Sequence, residues 1–232
     1  MKLIALETST RRLSVALWLD GALVERGEDV PNGGSELLLP WVNQLLDEAG
    51  VKFAEIDGIA FGAGPGGFTG LRLACGVAQG LAFGLDLPVI GVSSLEALAL
   101  AAYAGGSESM LAILDARMNE VYYAVYLIRD GVSETVLAPA VAAPQSVRAP
   151  QGQGATGWIG CGNGFAAYPE LLEPGVFEVR ADFWPTAMAV ARLAAPRLAR
   201  GEGLDAGLAA PLYVRDKVAL TTAERLARGG LK

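Results

Sequence analysis

The sequence predicts an α/β protein of two related domains, from its length and from the order of its strands and helices. At 232 residues the chain is long enough for two compact units. Short apolar strands alternate with segments whose apolar residues recur every three or four positions, which is typical of helices. Three strands followed by helices occur on each side of Gly105-Gly106, as expected of a duplicated α/β unit. We therefore predict domains over 1–104 and 105–210 and, over 211–232, a charged tail that is either an exposed helix or disordered.

The first predicted elements form an antiparallel meander. Apolar strands are predicted over 2–6 and 14–19. Asp20-Gly21 is a two-residue hairpin signal that leads into a third strand over 22–28. The later elements of the chain are predicted as strands over 88–92, 110–114, 121–128, 132–137 and 158–160, helices over 94–102 and 185–199, and a loop-rich insert over 138–157 with at most one short helix.

Two predicted helices flank the strand over 56–61. The first begins at Ser35 and ends at Gly50, and its apolar residues recur at helical spacing. They are Leu38, Trp41, Val42, Leu45 and Ala49. The strand then continues through the glycine-rich loop 62–70 into a second helix that ends near Gly84.

Composition excludes several classes of function. The chain has no histidine, so a Ser-His-Asp triad, a Cys-His pair and every histidine-containing metal site are excluded. The 25 acidic and 18 basic residues give a net charge of −7, which disfavours binding of nucleic acid without a partner. Cys75 and Cys161 are too far apart in sequence for a zinc or redox motif, and two isolated thiols suit a reducing cytosol.

The sequence also predicts a cytoplasmic protein without membrane contact. The apolar run from Leu73 to Leu85 is shorter than the roughly 18 residues that a membrane helix needs, so we interpret it as a core segment. The N-terminus runs from Leu6 directly into Glu7-Thr8 without the long apolar stretch of a signal peptide.

The glycine-rich loop is the strongest candidate for chemistry. A strand, a run of small residues and a helix N-terminus together place several backbone N–H groups where an anion can bind. The loop matches neither the GxxxxGK[ST] pattern nor the dinucleotide fingerprint, and the alternative is that its glycines only allow positive φ in a tight turn. The candidate anion- or nucleotide-binding residues are Thr8, Ser9, Gly64, Gly66, Gly67 and Thr69.

Carboxylates occur at two predicted bends. Glu7 ends the first strand beside several hydroxyl side chains; it could hold a metal through water or position a nucleotide, unless the hydroxyls simply satisfy backbone groups of the turn. Asp115 and Glu120 could do acid–base work, but Arg117 stands between them and favours an ion-paired turn. Cys75, in the middle of an apolar helix, is typical of a buried and inert thiol.

The second helix carries small residues at a regular spacing. Gly76, Gly80 and Gly84 recur every four positions. Glycine in a helix interior costs about 1 kcal/mol relative to alanine, so the three glycines should have a packing reason. The surface that packs against them is either the protein's own sheet or a helix of a second protein.

Several segments of the chain resemble a known family. They read LIALETST at 3–10, SVAL at 14–17, SELLLP at 35–40, GPGGFTGLR at 64–72, DARMNEVY at 115–122 and PLYVR at 211–215. Together they resemble the TsaB family of bacterial proteins, which is tied to the synthesis of threonylcarbamoyladenosine in tRNA. The segments at 64–72 and 115–122 are specific, whereas the N-terminal segment alone is weak.

The resemblance implies a fold of two related actin/sugar-kinase-like, ribonuclease H-like domains. It also implies a chain without the active site of its paralogue TsaD, because TsaD-like proteins hold a metal with paired histidines. In the family, TsaB pairs with TsaD through first-domain helices and the ATPase TsaE joins the assembly. TsaD then transfers threonylcarbamoyl from its adenylate to N6 of the adenosine beside the anticodon.

The resemblance implies a non-catalytic subunit that binds no cofactor by itself. It also implies that ATP and metal are bound by the partner subunits, and that the chain contacts tRNA only as part of the complex. Pairing of the isolated chain with itself is a further expectation. The implied partner-binding residues are Ser35, Glu36, Leu38, Trp41, Leu45, Leu73, Gly76, Val77, Gly80 and Gly84. The family usually has a histidine where this chain has Gly34, so that side chain cannot be essential here.

Two other classes of function stay open at this point. The first is a small-molecule kinase or ATP-binding protein of the same fold, although Glu7-Thr8-Ser9 stands where phosphate-binding loops of this fold usually have Asp-x-Gly. The second is a peptidase, which ranks last because the chain offers no base, metal site or nucleophile.

Overall fold

The computed structural model describes residues 1–30, 34–148, 157–171 and 176–215. The strands in this part of the chain are β1 Lys2–Glu7, β2 Arg12–Leu19, β3 Ala22–Asp29, β4 Gly58–Gly64, β5 Val89–Ser93, β6 Ser107–Arg117, β7 Glu120–Arg129, β8 Val132–Ala142, β9 Trp158–Cys161 and β10 Val176–Arg180. The α-helices are α1 Ser35–Ala49, α2 Phe68–Leu85, α3 Ser94–Ala102, α4 Gly164–Ala167 and α5 Ala187–Ala199.

The strands form two five-stranded sheets of the same topology. The first has the order β3-β2-β1-β4-β5 and the second β10-β9-β6-β7-β8. In each sheet the first three strands pair antiparallel and the last two join in parallel. Counted from its own first strand, the second sheet therefore repeats the order of the first. The predicted class, two related mixed sheets with flanking helices, is confirmed.

Besides the longer β6, which spans Ser107–Arg117 where the sequence predicts 110–114, two strands of the second sheet differ from the predictions. β8 continues to Ala142, which pairs with Val121, whereas the sequence predicts a strand that ends at 137. β10 was not predicted, and it pairs in parallel with β9. Both differences have one cause, because pairing with a neighbouring strand supplies hydrogen bonds that local propensity does not indicate.

Helices α3 and α5 lie between the sheets and share one hydrophobic core with both. Helix α3 packs on β6 and β7, whereas α5 packs on β1 and β2. Glu96 of α3 accepts two hydrogen bonds of 2.8 Å from Arg197 of α5, which joins the two helices. Although α5 falls inside the predicted domain over 105–210, it covers the first sheet, and the boundary between 104 and 105 stays a prediction.

Helices α1 and α2 cover the opposite face of the first sheet. Helix α1 buries four apolar side chains and ends at Gly50, whose φ of 64° is left-handed and suits glycine. The buried residues of α1 are Leu38, Val42, Leu45 and Leu46. These two helices therefore place their remaining faces on the protein surface.

Helix α2 has two faces made of small residues. Ala74, Ala78 and Ala82 are fully buried against the first sheet. Gly76 and Gly80 point the other way: they are exposed, and a Cβ added to either would meet no atom within 4 Å. Packing against the described part of the chain thus does not explain these glycines, which decides against the protein's own sheet as their partner.

By length and composition alone, α2 could cross a membrane, although one such helix is weak evidence. Only 28% of the helix is buried. The prediction of a core segment over Leu73 to Leu85 is therefore correct for one face of the helix and wrong for the other. The apolar composition comes from both faces, and only the face toward the sheet is covered.

Replacing Gly80 with alanine should raise the free energy of unfolding by about 0.5–1 kcal/mol, because alanine is the better helix former and the added methyl group meets open space. Urea unfolding of the isolated protein, at a concentration where it is monomeric, measures the change. Gly76→Ala should behave in the same way. A loss of stability in both variants would instead place this face of α2 in the protein's own packing.

Candidate functional site

A cleft of about 690 Å³ lies between the two sheets. It is lined by the turn between β1 and β2, the start of α2, the turn between β6 and β7, and residues 212–215. Its aromatic and charged lining residues are Phe68, Tyr122, Trp184, Tyr213, Arg11, Arg117, Arg215 and Asp115. The lining has three arginines and one carboxylate, and each arginine is ion-paired. The pairs are Arg11 with Asp29, Arg117 with Asp115 and Arg215 with Glu120.

The structure places the predicted anion loop at this cleft. The lining members are Thr8, Ser9, Gly66, Gly67 and Thr69. Gly64 does not line the cleft; it lies buried at the end of β4 with a φ of 115°. Helix α2 begins after Gly67 without a side-chain cap, so its first N–H groups can donate hydrogen bonds to an anion, and anion binding here stays a prediction.

Close backbone contact joins the glycine-rich loop to the turn between β1 and β2. Thr8 Oγ1 donates to the carbonyl of Gly70 at 2.6 Å, and Gly67 N donates to the carbonyl of Ser9 at 2.7 Å. A Cβ on Gly70 would lie 1.9 Å from Thr8 O, and one on Gly66 would lie 2.4 Å from Ser9 O. At these two positions glycine is needed for the close approach and not for a positive φ.

Glu7 is buried beneath this contact and does not line the cleft. Its carboxylate accepts hydrogen bonds from Ser9 N at 2.6 Å and from Ser94 Oγ at 3.3 Å. Gly62 makes room for it, since a Cβ there would lie 2.0 Å from Glu7 Oε2. Burial raises the pKa of the Glu7 carboxyl, and the hydrogen bonds oppose that shift only in part.

The turn between β6 and β7 forms the opposite wall. Arg117 forms an ion pair with Asp115 at 3.1 Å, as the sequence predicts for an ion-paired turn. Glu120 pairs instead with Arg215, a residue far along the chain, at 2.5 Å. Within the described ranges, no three His, Cys, Asp or Glu residues are grouped so that they could hold a metal ion.

The segment from Pro211 to Arg215 is the part of the site that sequence reasoning missed. It was predicted to begin a charged tail, but it lies against the cleft and contacts both of its walls. The family-like PLYVR motif was the available signal, although the contacts that hold it are far away in sequence. Residues 216–232 of the predicted tail lie outside the described residues.

The implied partner-binding residues divide into exposed and buried groups. Leu38 and Leu45 are 0% and 3% exposed, so the prediction that they contact a partner is wrong: they pack under α1 in the protein's own core. Trp41, Leu73 and Val77 are partly buried. The exposed members are Ser35, Glu36, Gly76, Gly80 and Gly84.

Two exposed apolar side chains on these helices were not predicted. Phe83 of α2 is 84% exposed and Leu39 of α1 is 47% exposed. Helical spacing gave a signal for Phe83, because position 83 follows Gly76 by seven residues and Gly80 by three, on the same face. We call the exposed residues Leu39, Gly76, Gly80, Phe83 and Gly84 the helix surface.

Gly34 has a structural reason of its own. Its φ is 89°, and a Cβ would lie 3.0 Å from Leu13 Cδ1 and 3.1 Å from Val30 Cγ1. A side chain at this position, before the first residue of α1, would therefore be strained and crowded.

Comparison with known proteins identifies close relatives. Residues 31–223 match the family described as "TsaD: tRNA N6-adenosine threonylcarbamoyltransferase". The "tRNA threonylcarbamoyladenosine biosynthesis protein TsaB" of Escherichia coli K12 is 37% identical over 224 residues, covering 94% of this chain and 96% of that protein. The protein of the same name from Haemophilus influenzae is 34% identical and covers 94% and 95%.

A solved structure shows the same fold. It is described as an uncharacterized protein with similarity to peptidase YEAZ from Pseudomonas aeruginosa. At 43% identity it superposes with a TM-score of 0.87, over 92% of this chain and 99% of that one.

The Gly70→Ala variant should lose about 1–3 kcal/mol of unfolding free energy, because the added methyl group cannot fit 1.9 Å from the Thr8 carbonyl oxygen. Gly67→Ala is the matched control in the same loop. Its Cβ would meet Ser9 O at an ordinary 3.5 Å, and its stability should change by less than about 0.5 kcal/mol. Urea unfolding compares the two, and equal stabilities would contradict the close approach.

The buried carboxyl gives a pH prediction. Between its ordinary value of 4.5 and the raised pKa of the folded state, Glu7 is ionised in the unfolded chain but protonated in the folded one. The unfolding free energy of the native protein should therefore fall relative to that of Glu7→Gln as pH rises above 4.5. Urea unfolding of both proteins from about pH 4 to 8 tests this; a difference that is constant, or that grows in favour of the native protein, would refute the raised pKa.

Proposed function

The chain belongs to the TsaB family of tRNA threonylcarbamoyladenosine biosynthesis proteins, and from that premise we propose that it is a non-catalytic subunit that docks on a TsaD-like transferase. The transferase would carry out the transfer of threonylcarbamoyl to tRNA. The TsaE-like ATPase joins the same assembly, and ATP and metal belong to these partners.

The helix surface is the observation that carries the proposal. It combines a nearly fully exposed Phe83 with three glycines at which an added Cβ would meet no atom of the described residues within 4 Å. Each glycine weakens the isolated helix, and exposed apolar surface is unfavourable in water, so both features have a reason only if another surface covers them. Glycine without a side chain lets the backbone of a partner helix approach α2 closely, with Phe83 as an aromatic anchor beside it.

The placement of Glu7 and of the two thiols supports a non-catalytic role. Glu7 is fully buried and does not line the cleft, so it does not contact a substrate there in this conformation. Cys75 and Cys161 are buried, and burial raises the pKa of both thiols, which keeps them protonated and unreactive. With no histidine in the sequence, no imidazole is present to activate a nucleophile.

The negative net charge of the chain indicates that other subunits of the assembly bind the tRNA. A chain of net charge −7 repels the phosphate backbone, so the tRNA would be held mainly by the partners. The same placement of Glu7 weakens the kinase alternative, because a carboxylate that serves a nucleotide-bound metal must face the nucleotide. The uncapped start of α2, which lines the cleft, keeps anion binding as a secondary proposal for this fold.

Replacing Gly80 with leucine should abolish co-elution with the TsaD-like partner, because the side chain would occupy the space that a partner helix needs. The variant should stay folded, since open space surrounds the position. Ala199→Leu adds bulk to an exposed helical residue of α5 and serves as the control that keeps binding. Analytical gel filtration of the mixed proteins gives the readout; normal co-elution of Gly80→Leu would exclude this face as the interface.

Reconstitution tests the function itself. This protein, the TsaD-like and TsaE-like proteins, tRNA and threonylcarbamoyl-adenylate are combined, and each is omitted in turn while modified adenosine is measured. Omission of this chain should reduce modification by at least tenfold. Undiminished modification without it would refute the activating role, and modification by this chain alone would refute the non-catalytic one.

A further inference from the structure

We propose that Pro211–Arg215 is a strap that ties the two sheets together across the cleft, and that Arg215 holds the turn between β6 and β7 in a strained conformation. The strap shares no residue with the helix surface. It is also a family-like motif of the sequence for which the docking proposal gives no role.

The strap is anchored on the first sheet at the end of β4. Leu212 N donates to the carbonyl of Ala63 at 2.7 Å. Gly64 lies directly beneath it, because a Cβ there would be 3.0 Å from the Leu212 carbonyl oxygen. This end of the strap is thus fixed by backbone contact.

A second anchor connects the strap to the first turns of α2. The Tyr213 ring stacks on Phe68 with centroids 6.0 Å apart and planes inclined by 30°. Arg72 donates from Nε to the Tyr213 hydroxyl at 3.1 Å and places its guanidinium 3.9 Å from the centre of the Phe68 ring. Both rings remain about half exposed, at 51% for Phe68 and 49% for Tyr213, so this anchor can open without unfolding of the core.

The other end of the strap reaches the second sheet through a single side chain. Arg215 is 13% exposed and donates to Glu120 at 2.5 Å and to the carbonyl of Ala116 at 3.0 Å. Its guanidinium also lies 5.6 Å from the centre of the Tyr122 ring. A charge-assisted contact of this kind is stronger than a neutral hydrogen bond, and here it spans the cleft.

The turn that Arg215 contacts is strained. Arg117, Met118 and Asn119 have φ angles of 61°, 57° and 57°, three left-handed residues in a row and none of them glycine. Positive φ at Met118 and Asn119 is usual for the two-residue loop of a hairpin. Arg117 lies at the register shift of β6 instead, and its left-handed conformation is the one that surrounding contacts must hold. Arg215 is suited to impose it, because its guanidinium donates to the carbonyl of Ala116 and lies 3.5 Å from the carbonyl oxygen of Arg117.

Two states of the cleft follow from these contacts. With Arg215 in place, the turn is held in the left-handed conformation and both walls are joined. When the strap leaves, the turn loses the donor that holds it and relaxes toward ordinary φ angles, and the cleft widens. The strap is therefore a conformational device that sets the access to the cleft.

Hydrogen–deuterium exchange on the full chain tests the strap. Arg215→Ala should speed exchange of the amides over 116–120 by at least tenfold, while the amides of β1 keep their native rates. Arg200→Ala is the matched control, because it removes an exposed arginine–glutamate pair of the same length, 2.5 Å, and should leave exchange over 116–120 unchanged. Less than a twofold change in Arg215→Ala, or an equal increase throughout the chain, would overturn the proposal.

A second variant separates a strap from a merely local contact. Tyr213→Ala removes the anchor on Phe68 and Arg72, on the wall opposite the turn. If the strap transmits its position across the cleft, exchange over 116–120 should rise at least threefold in this variant too. Native exchange rates there would show that Arg215 binds the turn independently and would refute the strap.

Discussion

The close contact between the glycine-rich loop and the turn after β1 is the constraint on which the rest of the site depends. The backbone of Thr8 and Ser9 occupies the space that side chains at 70 and 66 would need. Hydrogen bonds from Thr8 Oγ1 and Gly67 N then fix the first turn of α2 on the first sheet. This contact orients the whole helix, and with it the wall of the cleft and the exposed glycine face.

Helix α2 connects the two functional surfaces of the molecule. Its alanine face is buried on the sheet, its glycine face is open to solvent, and its first turns hold the Tyr213 anchor of the strap. The glycine face and one part of the cleft wall thus lie on the same helix, at different positions along its length. A partner that covers the glycine face would bind the same helix that forms a wall of the cleft.

The core explains why movement would be confined to the cleft side. Helix α3 packs on the second sheet and helix α5 on the first, so each helix covers the sheet of the other half of the chain. The partly buried ion pair between Glu96 and Arg197 joins the two helices. Breaking a pair of this kind leaves a charge without its partner, which is costly. On the opposite side the sheets are joined by the strap, whose contacts are partly exposed.

The sequence by itself determined the class of fold, because alternation of short strands and amphipathic helices is a local pattern, and the duplicated order of elements is visible along the chain. It also determined the absence of imidazole chemistry and the four-residue glycine spacing. The tertiary structure alone decided which small-residue face of α2 is exposed, since Ala74, Ala78 and Ala82 have the same spacing as the glycines. It likewise placed Leu38 and Leu45 in the core, and it placed Arg215 on a turn 95 residues away from it in sequence, at Glu120. Those outcomes depend on contacts between segments that are distant in sequence. The spacing of apolar or small residues within one helix carries no information about such contacts.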